Sequence, residues 1–317
     1  MQNRKGKLKY SSFPFGAYAL LLVIIAVFLV STNGTVSPTH LLNIARSAAP
    51  LGIVAIGQTI ALLVGGIDLS VGATISMVNL VCASIMNGSE GKIGSAVIVS
   101  LLLCVIIGGL NGLIITKFKM QPFLVTLAMS IIIEGGYYIY TQGIPSGKIT
   151  ESFRFIAEGW LGGIPVAVII WGIIWIVLSV ILHKSIYGRK LYYTGSNPIM
   201  AKMSGYRSDI IVILAYVLTS VLAGMAGLML SAYIGVASMG IGISYQLNSI
   251  AASVIGGAAF VGGIGTLEGT FPGVMIIVIL QSLMTIFGIS DAGEYLSQGL
   301  VIAVMVAINQ WQLKRNQ

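Results

Sequence analysis

Histidine, cysteine and charge are scarce in this chain of 317 residues, and each scarcity closes off a class of function. The two histidines, His40 and His183, both fall outside the long apolar runs, which argues against a buried His-based hydrolase or a His-ligated metal centre. The two cysteines, Cys82 and Cys104, lie inside apolar runs and read as small packing residues, not as a disulfide or a thiolate metal site. No phosphate-binding G-x-x-x-x-G-K-[ST] motif is present, because Gly91-Lys92 and Gly147-Lys148 are each followed by isoleucine. Only 8% of residues are charged, against about 25% in a soluble domain. With 56% hydrophobic residues and a mean hydropathy of +0.98, the chain cannot cover a water-facing surface. It is an integral membrane protein of many spans, without a soluble domain large enough to hold a catalytic core.

The apolar runs predict an all-α, polytopic helix bundle in one membrane domain, residues 1–317, in contact with the lipid bilayer. A crossing needs about 20 apolar residues. On that measure the spans fall at Phe15 to Ser31, Ile44 to Val64, Leu69 to Met86, Ile93 to Thr116, Pro122 to Tyr140, Ile164 to Leu182, Ile210 to Leu230, Tyr245 to Val261, from after Thr266-Leu267-Glu268-Gly269 to Phe287, and Tyr295 to Gln310. The first follows Arg4, Lys5, Lys7 and Lys9 without an evident small-residue cleavage site, and reads as a retained helix. Two polar connections stand out, one at about 141–163 and a basic one at about 183–209.

Ten crossings return both termini to one side, and the basic residues test that count. On the side of the termini lie 13 of the 17: Arg4, Lys5, Lys7, Lys9, Lys117, Lys119, Lys184, Arg189, Lys190, Lys202, Arg207, Lys314 and Arg315. The other side holds Arg46, Lys92, Lys148 and Arg154. Cytoplasmic loops carry the lysine and arginine excess, so both termini are expected in the cytoplasm. The net charge of +8 is therefore a topology signal and does not point to nucleic acid.

The chain is organised around Gly65-Gly66-Ile67-Asp68-Leu69-Ser70-Val71-Gly72, a carboxylate among glycines between two apolar runs. A charge at the bilayer centre costs about 2.5–3.5 kcal/mol on insertion scales, so Asp68 faces protein or a watery path rather than lipid. Two readings stand side by side. Asp68 caps the next helix, or Gly65, Gly66, Asp68 and Ser70 form a break that lines or couples a path. Gly65-Gly66-Ile67 with Gly72 recurs at the same spacing as Gly262-Gly263-Ile264 with Gly269, an internal echo of the kind transporters build from repeats. The other polar residues within the runs include Asn79, Asn111, Glu134, Gln246 and Asn248. They serve either a polar solute or hydrogen bonds between helices.

Within the basic connection, Asn197-Pro198 is a helix start, with asparagine as N-cap and proline at the first position. Met200, Ala201, Met203 and Ser204 follow, and Gly205 ends the helix. A short apolar helix fenced by Arg189, Lys190, Lys202 and Arg207 is either a docking surface or an interfacial helix held by lipid head groups.

These stretches together resemble the ribose/galactose/xylose-type permeases of ABC importers. The resemblance is carried by Gly65 to Gly72, by Tyr187-Gly188-Arg189 through Gly195-Ser196-Asn197-Pro198 to Ser204-Gly205, and by Pro122-Phe123-Leu124-Val125-Thr126-Leu127-Ala128. The glycine block from Ala251-Ala252 through Gly256-Gly257, Gly262-Gly263 and Gly265-Thr266 to Gly269-Thr270 completes it. The matches run in order from about Leu41 to Ala307. The resemblance implies a subunit of the bacterial inner membrane that forms a path for a monosaccharide or similar small polar solute. It implies an extracytoplasmic sugar-binding protein, a second permease subunit and an ATPase subunit that binds the ATP, so this chain needs no cofactor of its own. It also makes 197–205 the helix that couples to the ATPase. At Glu134 the sequence departs from the family, whose members often carry a basic residue before that glycine pair. The rival from another class is a secondary transporter driven by an ion gradient, for which only Asp68 and Glu134 offer intramembrane carboxylates. An intramembrane enzyme lacks a nucleophile–base pair within the spans.

Overall fold

The computed structural model describes residues 14–32 and 36–289, together with Gly293, Leu296 and Gly299. The run expected at Tyr295 to Gln310 lies outside the described residues. The chain is an α-helical bundle: α1 (Phe15–Ser31), α2 (Pro38–Leu63), α3 (Val71–Met86), α4 (Ile93–Lys117), α5 (Pro122–Thr141), α6 (Glu151–Glu158), α7 (Val166–Lys184), α8 (Ile186–Ser196), α9 (Pro198–Met203), α10 (Ser208–Ile234), α11 (Ile243–Ile255) and α12 (Leu267–Ile286). Two short antiparallel strands, β1 (Trp160–Leu161) and β2 (Ile164–Pro165), form a hairpin between α6 and α7. Among the described residues, six helices are long and apolar enough to cross a membrane: α2, α4 with the turn before it, α5, α7, α10 and α12. α1 and α3 are shorter apolar helices.

α10 is the centre of the bundle and packs on α2, α3 and α4. Close approach is possible because the contact faces carry small residues, the usual device where lipid offers no hydrophobic gain between helices. On α4, Gly108 and Gly112 face α10 backbone. A Cβ at Gly108 would come 2.6 Å from Val217 Cα, and one at Gly112 would come 2.6 Å from Ile213 Cα. Thr219 on α10 donates its hydroxyl to Gly57 O on α2 at 2.8 Å. A second polar lock joins α2, α11 and α12: the Thr59 hydroxyl lies 3.0 Å from that of Ser253 and 2.7 Å from that of Thr270, all buried. Outward faces of α4, α5 and α7 are exposed and apolar, as surfaces facing lipid require.

Several element boundaries differ from the sequence expectation. α2 begins at Pro38, not near Ile44, because Ser37 caps it by accepting the His40 N–H at 3.1 Å and Pro38 occupies the first position. The connection at 141–163 is not plain coil: it holds α6, whose Phe153 and Ala157 are buried, and the β1–β2 hairpin. The eighth run is corrected most. Its helix, α11, has 13 residues and ends at Ile255, a length of about 20 Å against a hydrocarbon core of about 30 Å. Two irregular segments flank it, 235–242 before and 256–266 after. The first runs alongside α3. Asn79 Nδ2 donates to Val236 O at 3.2 Å, Asn79 Oδ1 accepts the Ser238 N–H at 2.7 Å, and the Ser76 hydroxyl accepts the Gly242 N–H at 3.0 Å. This stretch thus descends about one turn of α3 before α11 starts. Non-helical backbone inside a membrane bundle is tolerated when protein satisfies it.

Candidate functional site

The glycine pair after α2 forms a Schellman ending. Gly65 takes a φ of +77°, its N–H donates to Leu62 O at 2.9 Å, and the Gly66 N–H donates to Ala61 O at 3.0 Å. That closes the helix sharply and leaves Ile67 to Ser70 as a compact link into α3. Asp68 within it is fully buried. Its Oδ1 accepts the Ser70 N–H at 2.8 Å and the Ser70 hydroxyl at 2.5 Å. Asn111 Nδ2 on α4 donates to the same hydroxyl at 3.0 Å. Gln58, with its amide turned to suit both groups, donates to Asp68 O at 3.1 Å and accepts the Asp68 N–H at 3.2 Å. Asp68 Oδ2 has no hydrogen-bond partner among the described residues.

This geometry refines the capping reading. The N-cap residue of α3 is Ser70, and no side chain caps the helix. Asp68 instead holds the N–H two residues ahead, an Asx-type turn that sets the entry to α3. Tyr216 on α10 presses on the same link: a Cβ at Gly66 would overlap the Tyr216 hydroxyl, which is buried and without a partner among the described residues.

The two glycine segments that echo each other in sequence meet in space. The Gly263 N–H donates to Leu63 O at 2.9 Å, and a Cβ at Gly262 would sit 2.8 Å from Gly65 N. Gly262 and Gly263 have φ of +85° and +71°, a conformation that costs other residues free energy. Gly72 and Gly269 each lie in the first turn of the following helix, α3 and α12. A Cβ on Gly72 would come 2.7 Å from Gly242 O, and one on Gly269 would overlap Gly256 O.

The polar residues divide by surroundings. Asn79 is committed to holding the 235–242 segment, and also donates to the Ser231 hydroxyl at 3.1 Å. Asn111 belongs to the Asp68 network, with its Oδ1 unpartnered among the described residues. Asn248 is buried with Oδ1 likewise unpartnered. Gln246 is half-buried and packs beside Gly72. Glu134 is half-buried on α5, away from the glycine links, and accepts from the Ser130 hydroxyl at 3.4 Å. The structure therefore brings Gly65, Gly66, Asp68, Ser70, Asn111, Gly262 and Gly263 into two touching links and leaves Glu134 apart. Tyr216 and the 235–242 segment were missed in the sequence. Gly235, Gly240 and Gly242 were the available signal.

In the basic connection, α9 spans Pro198–Met203, with the Asn197 side chain accepting the Met200 N–H at 3.0 Å and Ser204 at the C-cap. Gly205 follows with φ +80°. Ala201 is buried against the body, and Lys202 Nζ pairs with Asp209 Oδ1 at 2.9 Å. Ile199, Met200 and Met203 are exposed by 72%, 57% and 78%, so half the helix is an exposed apolar knob. The preceding helix α8 was not expected. It runs from a Ser185 cap, which accepts the Gly188 N–H at 3.0 Å, and its Tyr192 hydroxyl donates to Gly265 O at 2.8 Å. Burial, with Glu268 nearby, pushes that hydroxyl up to about 12, so it keeps its proton as a donor. Between α9 and the Gly65 link lies a cavity of about 190 Å³ lined by Gly66, Pro122, Thr194, Lys202, Ser208 and Tyr216 among others.

Comparison with known proteins gives a consistent picture. Residues 40–309 match the protein family described as "Branched-chain amino acid transport system / permease component". The ribose import permease protein RbsC of Bacillus subtilis (strain 168) is 34% identical over 300 residues, covering 94% of this chain and 92% of that protein. RbsC of Escherichia coli (strain K12) is 33% identical over 296 residues, covering 91% of each. The galactose/methyl galactoside import permease protein MglC of Escherichia coli (strain K12) is 28% identical over 337 residues, covering 99% of each. No solved structure matches at a significant level.

Proposed function

This chain belongs to the family of branched-chain amino acid transport system permease components, and on that premise we propose that it is the membrane-spanning subunit of a bacterial ABC importer of the inner membrane. It forms the path for a monosaccharide or a similar small polar solute. The observation that carries the reading is the near full-length similarity to ribose and galactose import permeases. An ATPase subunit binds and hydrolyses the ATP, a second permease subunit completes the path, and an extracytoplasmic binding protein delivers the solute.

The proposed arrangement has ten crossings with both termini in the cytoplasm, a reading supported by the 13 of 17 basic residues that it places on the side of the termini. The eighth crossing is the 235–242 descent, α11 and the 256–266 link taken together. The exposed apolar side of α9, with Ile199, Met200 and Met203, docks in the ATPase. Asn197 and Pro198 start this helix, Ala201 seats it on the body, and Ser204 and Gly205 end it. ATP-driven closure of the ATPase pair then moves α9, and the glycine links at Gly65–Ser70 and Gly262–Gly263 are the places where the helices can be reset. Asp68 holds the first link in register.

Uptake of radiolabelled D-ribose and D-galactose by cells carrying or lacking this chain tests the reading. The expected result is uptake that survives a protonophore as long as ATP is maintained and stops when ATP is depleted. Uptake that collapses with the proton or sodium gradient at constant ATP would overturn it in favour of a secondary transporter.

A further inference from the structure

We infer that the last turn of α8 is a positioning element that joins the docking helix to both glycine links, so that a displacement of α9 reaches α2–α3 and α11–α12 together. The inference rests on the coupling role proposed for α9. Its first support is the joint between α8 and α9. Asn197 is at once the C-cap of α8, through its N–H to Tyr193 O at 3.1 Å, and the N-cap of α9, through its side chain on the Met200 N–H at 3.0 Å. One shared cap leaves no slack between the two helices.

The second support is the seat of that turn. A Cβ at Gly195 would overlap Leu63 O and come 2.7 Å from Gly263 N. Those two atoms form the hydrogen bond that ties the first link to the second. Gly195 O in turn lies 2.7 Å from where a Cβ on Gly262 would be. At Gly263, a Cβ would overlap the Ser196 hydroxyl and come 2.8 Å from Ser196 Cα. Tyr192, one turn earlier, holds the second link at Gly265 O. Three backbones therefore touch directly, with no side chain between them to yield by changing rotamer. The neighbouring Leu191 is fully buried and anchors α8 in the core. Gly195, Ser196 and Tyr192 act through the links and not on the solute.

The test uses the full complex, with ATPase subunits and binding protein, in proteoliposomes, and D-ribose as the probe. The readout is D-ribose imported per ATP hydrolysed, normalised to assembled complex. Coupled uptake by the wild-type complex tests the function proposed above, and the variants, read against it, test the positioning role. Gly195→Ala is expected to keep ATP hydrolysis within about twofold of wild type and to lower the import ratio at least tenfold. Tyr192→Phe, which removes one hydroxyl only, is expected to lower the ratio by a few fold. Gly172→Ala on α7, where a Cβ meets open space, is expected to leave it unchanged. An unchanged ratio in Gly195→Ala and Tyr192→Phe would overturn the inference, as would import and hydrolysis falling together. Should Gly195→Ala fail to assemble, the ratio in Tyr192→Phe decides alone.

Discussion

Replacing Asp68 separates the strength of the first glycine link from its use in transport. In Asp68→Ala, the Ser70 N–H and the Ser70 hydroxyl both lose their acceptor in a fully buried place. Each buried donor left unsatisfied costs about 1–3 kcal/mol, so the loss is about 2–6 kcal/mol. Asp68→Asn keeps an oxygen where Oδ1 stands. Two hydrogen bonds to a charged acceptor become two to a neutral one, a loss of about 1 kcal/mol each. Removing the buried charge returns the same desolvation penalty in both variants, so alanine falls below asparagine by about 0–4 kcal/mol, the gap between losing the two hydrogen bonds and weakening them. At about 2–4 °C per kcal/mol, the alanine variant should melt up to roughly 15 °C below the asparagine variant. Melting is read by size-exclusion chromatography of heated, detergent-solubilised protein, and solute uptake is measured in parallel. Uptake by Asp68→Asn is expected to fall at least tenfold at near-normal assembly if, as proposed, the buried Asp68 carboxylate holds the first link for coupling. An alanine variant that melts with or above the asparagine variant refutes the proposed hydrogen-bond role. Normal uptake by the assembled asparagine variant refutes the transport role.

Two other substitutions probe the bundle and its docking face. Met200→Glu places a charge in the middle of the exposed apolar side of α9; uptake should be lost with the subunit still folded in the membrane, and normal uptake would remove α9 from the coupling role. Gly112→Ala drives a Cβ to 2.6 Å from Ile213 Cα on α10; overpacking of this kind costs about 1–3 kcal/mol. The neighbouring Gly109→Ala meets Val217 Cγ2 at an ordinary 4.0 Å. It should melt like wild type, and equal melting of the two variants would show that the α4–α10 crossing is looser than described.

Helix positions were largely legible because long apolar runs have few alternatives in a membrane chain. α1 is Phe15–Ser31 as the run indicates, and α9 has the start and end that Asn197-Pro198 and Gly205 signal. The start of α2 was hidden because its first two turns carry Thr39, His40, Asn43 and Arg46, which read as a polar connection although Ser37-Pro38 marks the cap. α11 was overextended because Ala258 to Val261 continue its apolar character, while the positive φ at Gly257 already ends the helix. The site was legible only in parts. Glycine spacing marked both links, but their contact through Leu63 and Gly263 joins residues 200 positions apart, and single-sequence patterns carry no such pairing. Asp68 stood out as a charge among apolar residues, whereas Tyr216, pressed on Gly66, looked like one more aromatic in an apolar run.

The most direct measurement is a pull-down of the tagged chain from native membranes solubilised in mild detergent, with every co-purifying protein identified by mass spectrometry. The account predicts an ATPase subunit in stoichiometric amount, lost when Met200→Glu is used as bait, with a second permease copy or relative retained. A clean homo-oligomer without an ATPase, transporting solute in vesicles on an ion gradient alone, would contradict it.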